Sequence, residues 1–288
     1  MAHVVSGPAG PPPLGPGGFD WTTWQADPSI VAGLAALGVG YLVATLRQRR
    51  IDPDSRVEPA KVVSFVGALV VLFAALTGPI HDLSDYYLFS AHMVQHMLLI
   101  FAMPPLLLYG IPGFMLRPLL GDPRVVRLGR RLTRPTSAFA IFNVTLVAWH
   151  MPPLYNLAME RHPVHIVEHL MIMAAAVILW WPVLSPISEL PRAPYPVQLL
   201  YLFVVGLPMV MVAIMIAMAD SVLYPVSATA PRVWQGLSPH ADQNLGGLIM
   251  WIPGGMVFFV AIAVVFFRWQ TAGGSDSALP AVEAHGRQ

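Results

Sequence analysis

Apolar residues in this chain fall in long blocks separated by short polar or proline- and glycine-rich breaks, with little sign of the two-residue alternation of a half-buried strand. The blocks lie near 28–46, 62–80, 90–111, 135–151, 163–184, 196–218 and 244–267, each about 17 to 24 residues long. At about 1.5 Å rise per residue, such blocks are matched to a hydrocarbon layer roughly 30 Å thick. The pattern predicts an all-α, polytopic membrane bundle of about seven transmembrane helices. Pro163 and Pro196 suit a first helical turn, where their missing N–H would go unused, and Pro152-Pro153 cannot continue the fourth block. A Pro/Gly-rich irregular tail, 1–27, precedes the membrane domain, 28–268. A short tail, 269–288, follows it and is expected to be cytoplasmic and disordered.

Composition agrees with this pattern. Apolar residues are 56% of the 288 and charged ones 11%, about half the charged share of a soluble domain. The charges that remain assign direction. Arg47, Arg49, Arg50, Arg56 and Lys61 lie between the first two blocks, and Arg117, Arg124, Arg127, Arg130, Arg131 and Arg134 between the third and fourth. Arg192 and Arg268 fall on that same side, with only Arg161 and Arg232 opposite. Since cytoplasmic loops accumulate Lys and Arg, the N-terminus is expected outside and the C-terminus inside. The net charge of +1 gives no reason to expect a nucleic-acid partner. No Gly-rich loop ending in Lys and Ser or Thr suggests a nucleotide site. The pairs Gly246-Gly247 and Gly254-Gly255 suit close helix packing, and bundled membrane helices tolerate breaks such as Pro104-Pro105.

Orientation turns the ten histidines into a geometry. His81 ends the second block outward, His92 and His96 open the third, His150 closes the fourth, and His165 and His169 enter the fifth, with His162 and His240 close by. Residues four apart share a helix face, so His92 with His96 and His165 with His169 form two pairs descending from one membrane face. Ionisable groups inside membrane helices are costly and normally face the bundle interior, which makes this set a functional hypothesis, a metal site first of all. With no cysteine, ligands must be His, Met, carboxylate or backbone oxygen. Carboxylates lie on the same side at Asp82, Asp85, Glu168 and Asp242, and a carboxylate on the second nitrogen of a ligating imidazole fixes its tautomer. Met211, Met215 and Met218 follow helical spacing and Met250 lies in the last block; Met215, Met218 and Met250 are candidate soft ligands.

Five segments in order, SAHMVQHMLL (90–99), AWHMPPLYNLAM (148–159), HPVHIVEHL (162–170), WWPVL (180–184) and DQNLGGLIMWIPGG (242–255), resemble the CtaG family of integral membrane cytochrome c oxidase assembly factors. The resemblance implies a seven-span protein of the bacterial plasma membrane that helps copper reach a haem-copper oxidase on its outer side. Its partners would be an oxidase subunit and a periplasmic copper carrier, within the lipid bilayer. Matching positions are His81, His92, Gln95, His96, His150, His165, Glu168, His169, Asp242, Gln243, Gly246, Gly247 and Met250, and Asn244 departs from the family's usual DQQLGG. The metal reading takes His81, His92, His96, His150, His165 and His169 as candidate ligands, with Gln95, Glu168, Asp242 and Gln243 supporting them. A non-catalytic assembly factor is expected. Two alternatives stand beside it. His165, Glu168 and His169 spell the H-x-x-E-H of inverted zinc hydrolases, and histidines on facing helices could bind haem.

Overall fold

Proline marks where the helices start. It stands in the first two positions of eleven helices among the described residues: α1 (Pro28–Ile51), α2 (Pro59–Leu76), α3 (Gly78–Tyr86), α5 (Met103–Gly110), α7 (Pro123–Leu132), α8 (Pro135–His150), α9 (Pro152–Glu160), α10 (His162–Leu184), α11 (Tyr195–Ala217), α12 (Pro225–Thr229) and α13 (Pro239–Asp276). A ring that fixes φ and has no N–H to lose costs little there. The remaining α-helices are α4 (Phe89–Met97) and α6 (Gly113–Leu116). The computed structural model describes residues 14, 18–22, 24 and 26–276. Expectations for most of the 1–27 tail and for 277–288 therefore lie outside the described residues.

Among the described residues, six helices are long and apolar enough to cross a membrane: Pro28–Ile51, Pro59–Leu76, Phe89–Gly110, His162–Leu184, Tyr195–Ala217 and Pro239–Ala272. The fourth expected span is α8, 16 residues, about 24 Å at helical rise. It packs between α10 and α11. Its last residue, His150, lies beside His96, with ring centroids 6.3 Å apart. Its first, Pro135, lines a cleft with Arg134 and Arg192. Thus α8 links the histidine end of the bundle to the arginine end.

The expected third span is one helix that changes pitch. A π-helical turn at Leu98–Ala102 joins α4 to α5, and the Met103 N–H reaches back to the Leu98 carbonyl. Pro104 has no N–H to offer the Ile100 carbonyl four residues earlier, so that acceptor needs another donor. The Trp180 indole supplies it at 2.8 Å. This local answer to Pro104-Pro105 also pins α10 against the α4–α5 helix.

The second expected span, 62–80, is shorter than its hydropathy. α2 stops at Leu76, and Gly78, at φ +66°, turns the chain into α3. A side chain at Gly78 would collide with the Trp24 ring, 2.5 Å from where its Cβ would stand. This break aims His81, Ser84 and Asp85 across the bundle at α4 and α10. At the other end of the chain, α13 begins at Pro239, before the expected boundary at 244, and places Asp242 in its first turn. Gly247 sits 2.5 Å, measured from an added Cβ, off the Ala217 backbone nitrogen, so α11 and α13 touch almost backbone to backbone.

Candidate metal centre

Two helices carry the middle of the site. α4 presents His92 and His96, and α10 presents His165, Glu168 and His169 one turn apart. All five side chains are buried. The His92 and His96 rings are 4.1 Å apart, those of His165 and His169 4.2 Å, and the facing pair His96 and His169 5.6 Å. The two expected pairs therefore meet face to face. The Glu168 carboxylate lies among them, its Oε1 3.7 Å from His92 Nε2 and 3.8 Å from His96 Nε2, its Oε2 4.0 Å from His165 Nε2. One ligand atom each from His92, His165 and Glu168 falls within 4.8 Å of the others.

Neighbouring hydrogen bonds assign three tautomers. The Gln95 amide nitrogen donates to the Ala75 carbonyl at 2.7 Å, which leaves its oxygen to accept from the Ser84 hydroxyl, also at 2.7 Å. Ser84 has a single proton and has spent it, so at its 3.2 Å contact the His92 Nδ1 is the donor. His150 Nδ1 donates to the Leu146 carbonyl at 2.7 Å. His165 Nδ1 faces Asp85 Oδ2 at 3.4 Å. In each neutral ring the proton is held at Nδ1 and the lone pair stays on Nε2.

Those Nε2 atoms are the anomaly of the structure. The Nε2 atoms of His92, His96, His150, His165 and His169 and both Glu168 oxygens are buried without a hydrogen-bond partner among the described residues. Each buried orphan costs roughly 1–3 kcal/mol, and most buried polar groups avoid that cost. The Nε2 atoms of His92, His96 and His165 converge on the Glu168 carboxylate, those of His92 and His165 held from behind at Nδ1, and such a set fits a metal cation, which satisfies nitrogen and oxygen acceptors together and offsets the buried negative charge. Imidazole and carboxylate suit copper and zinc alike.

Of the four carboxylates the sequence places on this side, Asp85 is the one set against the Nδ1 atoms of two imidazoles. It touches His165, and its Oδ1 lies 3.3 Å from His81 Nδ1. Burial pushes the His81 imidazole down, against the pull of Asp85. His81 is the most exposed of the six histidines, at 19%. It stands between the surface and the cluster, and His162, 4.0 Å from Asp27, lies farther out. The His81–Asp85 spacing of four was the available signal. Asp242 accepts from the Phe89 and Ser90 N–H groups at 2.8 and 3.1 Å and from the Ser90 hydroxyl, which caps α4 from α13. Gln243 holds the Leu223 N–H and the Ser221 carbonyl, tying the chain after α11. His240 bonds the Ala219 carbonyl.

Methionine is sorted by burial. Met215 and Met218 are 53% and 68% exposed, turned outward on and just beyond α11. Met250 is buried and lines a small void with His96, His150, Met93, Met97 and Met209. The last three were not singled out in the sequence, because methionine in an apolar helix looks like filler until its neighbours are known.

Fold and site together define a polytopic membrane protein built around a buried histidine–carboxylate centre. The sequence model of the family described as "Cytochrome c oxidase caa3 assembly factor (Caa3_CtaG)" matches residues 39–272, and the chain belongs to that family. It is also similar to "Uncharacterized protein ML1998" of Mycobacterium leprae (strain TN), 23% identical over 86% of this chain and 40% of the relative. "Uncharacterized protein Mb0105" of Mycobacterium bovis (strain ATCC BAA-935 / AF2122/97) is 25% identical over 86% of this chain and 39% of the relative. The chain thus spans about two-fifths of the length of these relatives. No solved structure matches it.

Proposed function

We propose that this protein binds copper as cargo in the His92, His96, His165, Glu168, His169 centre, with His150 and the methionine-lined void at its inner edge, and assists copper-centre maturation of a haem-copper oxidase. The observation that carries the reading is the set of buried Nε2 lone pairs and carboxylate oxygens without partners. Family membership supports the oxidase. His81 and Asp85 form the approach from the surface, and Glu168 lowers the cost of a cation in a low-dielectric interior. Copper entering as Cu(I) finds thioethers of Met93, Met97, Met209 and Met250 beside His96 and His150. The role is non-catalytic: Glu168 is ringed by imidazoles, the position of a ligand or counter-charge rather than of a base facing substrate water.

The bilayer is the bacterial plasma membrane. α8 is the seventh span, the N-terminus is outside, the C-terminus is inside, and the centre opens to the extracytoplasmic side where an oxidase subunit or periplasmic carrier meets it. The arginine-rich end opposite supports this direction. Elemental analysis of purified protein loaded with copper, compared with a His92→Ala/His165→Ala variant that keeps its helicity, tests the site. The expected result is metal bound by the parent and lost from the variant. Copper absent from both, together with normal oxidase copper content in cells carrying only the variant, would overturn the role.

A further inference from the structure

The arginine-rich end carries more than a topological signal. In α7, Arg124, Arg127, Arg130 and Arg131 fall within an arc of about 120° at 100° per residue, and Val125, Leu128 and Leu132 on the facing arc. Gly129, between the arcs, brings the backbone against Leu190, so this helix is docked to the 185–194 loop. Val125 and Leu128 remain 43% and 57% exposed, and Leu119 just before them 68%. A short helix with one bare apolar face and one arginine face lies in the plane of a membrane interface.

Around it, segments 113–134 and 185–194 hold seven arginines, Arg117, Arg124, Arg127, Arg130, Arg131, Arg134 and Arg192, against two acids, Asp122 and Glu189. Both acids are engaged. Asp122 caps α7 through the Arg124 N–H, and Glu189 pairs with Arg117 at 3.2 Å. Arg127 and Arg134 are exposed, and their side chains make no hydrogen bond or ion pair among the described residues. They and Arg130 border two clefts. One, of about 560 Å³, is lined by Arg130, Thr133, Arg134, Ser188 and Arg192 and opens beside Val197, an exposed residue of the membrane-crossing α11. The other, of about 520 Å³, lies between Arg127, Arg130 and Arg134 on the α7 side. Both fall in the size range of ligand pockets.

We propose that these clefts bind the phosphate headgroup of an anionic phospholipid. Charge complementarity selects the headgroup, since guanidinium forks match phosphate oxygens. The bare Val197 at the rim of the first cleft selects a lipid over a free anion, because it offers an acyl chain a surface beside Arg130, Arg134 and Arg192, and the exposed Val125 and Leu128 on the other face of α7 suit the same bilayer. The bound lipid seats α7 in the interface and ties the α7 loop to the N-terminal ends of α8 and α11.

The test uses full-length protein in detergent, stripped of lipid, then exchanged against vesicles of phosphatidylglycerol or phosphatidylcholine, with retained lipid measured by mass spectrometry. Arg127→Gln/Arg134→Gln is the informative variant, because neither side chain holds a contact that folding needs. Arg47→Gln/Arg49→Gln removes equal charge from the last turns of α1 at the same end. The parent and the second variant should retain phosphatidylglycerol over phosphatidylcholine, and the first variant should lose about tenfold or more of it. Equal retention by all three proteins, or no preference in the parent, overturns the proposal. Displacement of the lipid by inorganic phosphate would overturn it too, as would retention abolished only by added acidic peptide.

Discussion

At Asp85 a single carboxylate faces both His81 and His165, so its loss acts on the centre without emptying it. Asp85→Asn keeps shape and removes the acceptor charge that holds His165 in its Nδ1–H form. Copper affinity, measured by competition with a chromophoric chelator, should fall about 10- to 100-fold, the usual effect of removing a partner behind a ligating imidazole. Asp242→Asn provides the contrast. That carboxylate accepts three hydrogen bonds at the start of α4, and weakening a charged cap costs about 1–2 kcal/mol. Its variant should melt at lower temperature yet bind the same copper per folded molecule. The reverse pattern, affinity lost at Asp242 and spared at Asp85, would reassign the two. Both residues stand near histidines in the sequence; only their partners separate the roles.

Among elements, two contacts fix how closely the helices approach. The Trp180 indole satisfies the Ile100 carbonyl that Pro104 leaves open. Trp180→Phe keeps the ring bulk and should destabilise the protein by about 1–3 kcal/mol by stranding that acceptor, read as a shift in thermal unfolding in detergent. Gly247 against the Ala217 backbone is less forgiving, since an added Cβ meets main-chain atoms on a neighbouring helix rather than a side chain that can turn away. Gly247→Ala should cost about 1–3 kcal/mol, whereas Gly255→Ala, where no neighbour lies within 4 Å, should change little. An equal response at the two glycines would remove the close-packing explanation.

For the whole molecule, the absence of cysteine makes sidedness measurable with one introduced thiol at a time. Arg131, at the arginine end, and Gln235, on the loop before α13, are both exposed. In intact cells an impermeant maleimide should label Gln235→Cys and leave Arg131→Cys unlabelled until the membrane is opened. Thr22→Cys and Thr271→Cys test the count. Seven crossings predict labelling from opposite sides, six from the same side, so α8 is decided by one pair of variants.

Hydropathy blocks and prolines by themselves determined the helical architecture and the starts of the long apolar helices to within a few residues, because the bilayer length and the missing proline N–H act locally. Spacing determined which histidines could share a face: His92 with His96 and His165 with His169 do so on any helix. What spacing lacks is the neighbour. That α4 faces α10, that Glu168 stands among the imidazoles, that Asp85 and not Asp242 orients them, and that Met250 rather than Met215 or Met218 lies beside His150 all depend on how helices rotate and pack. Those rotations were set by the Gly78 break, the π turn before Pro104 and the Gly247 contact, each a local irregularity whose effect is felt only where a second helix meets it.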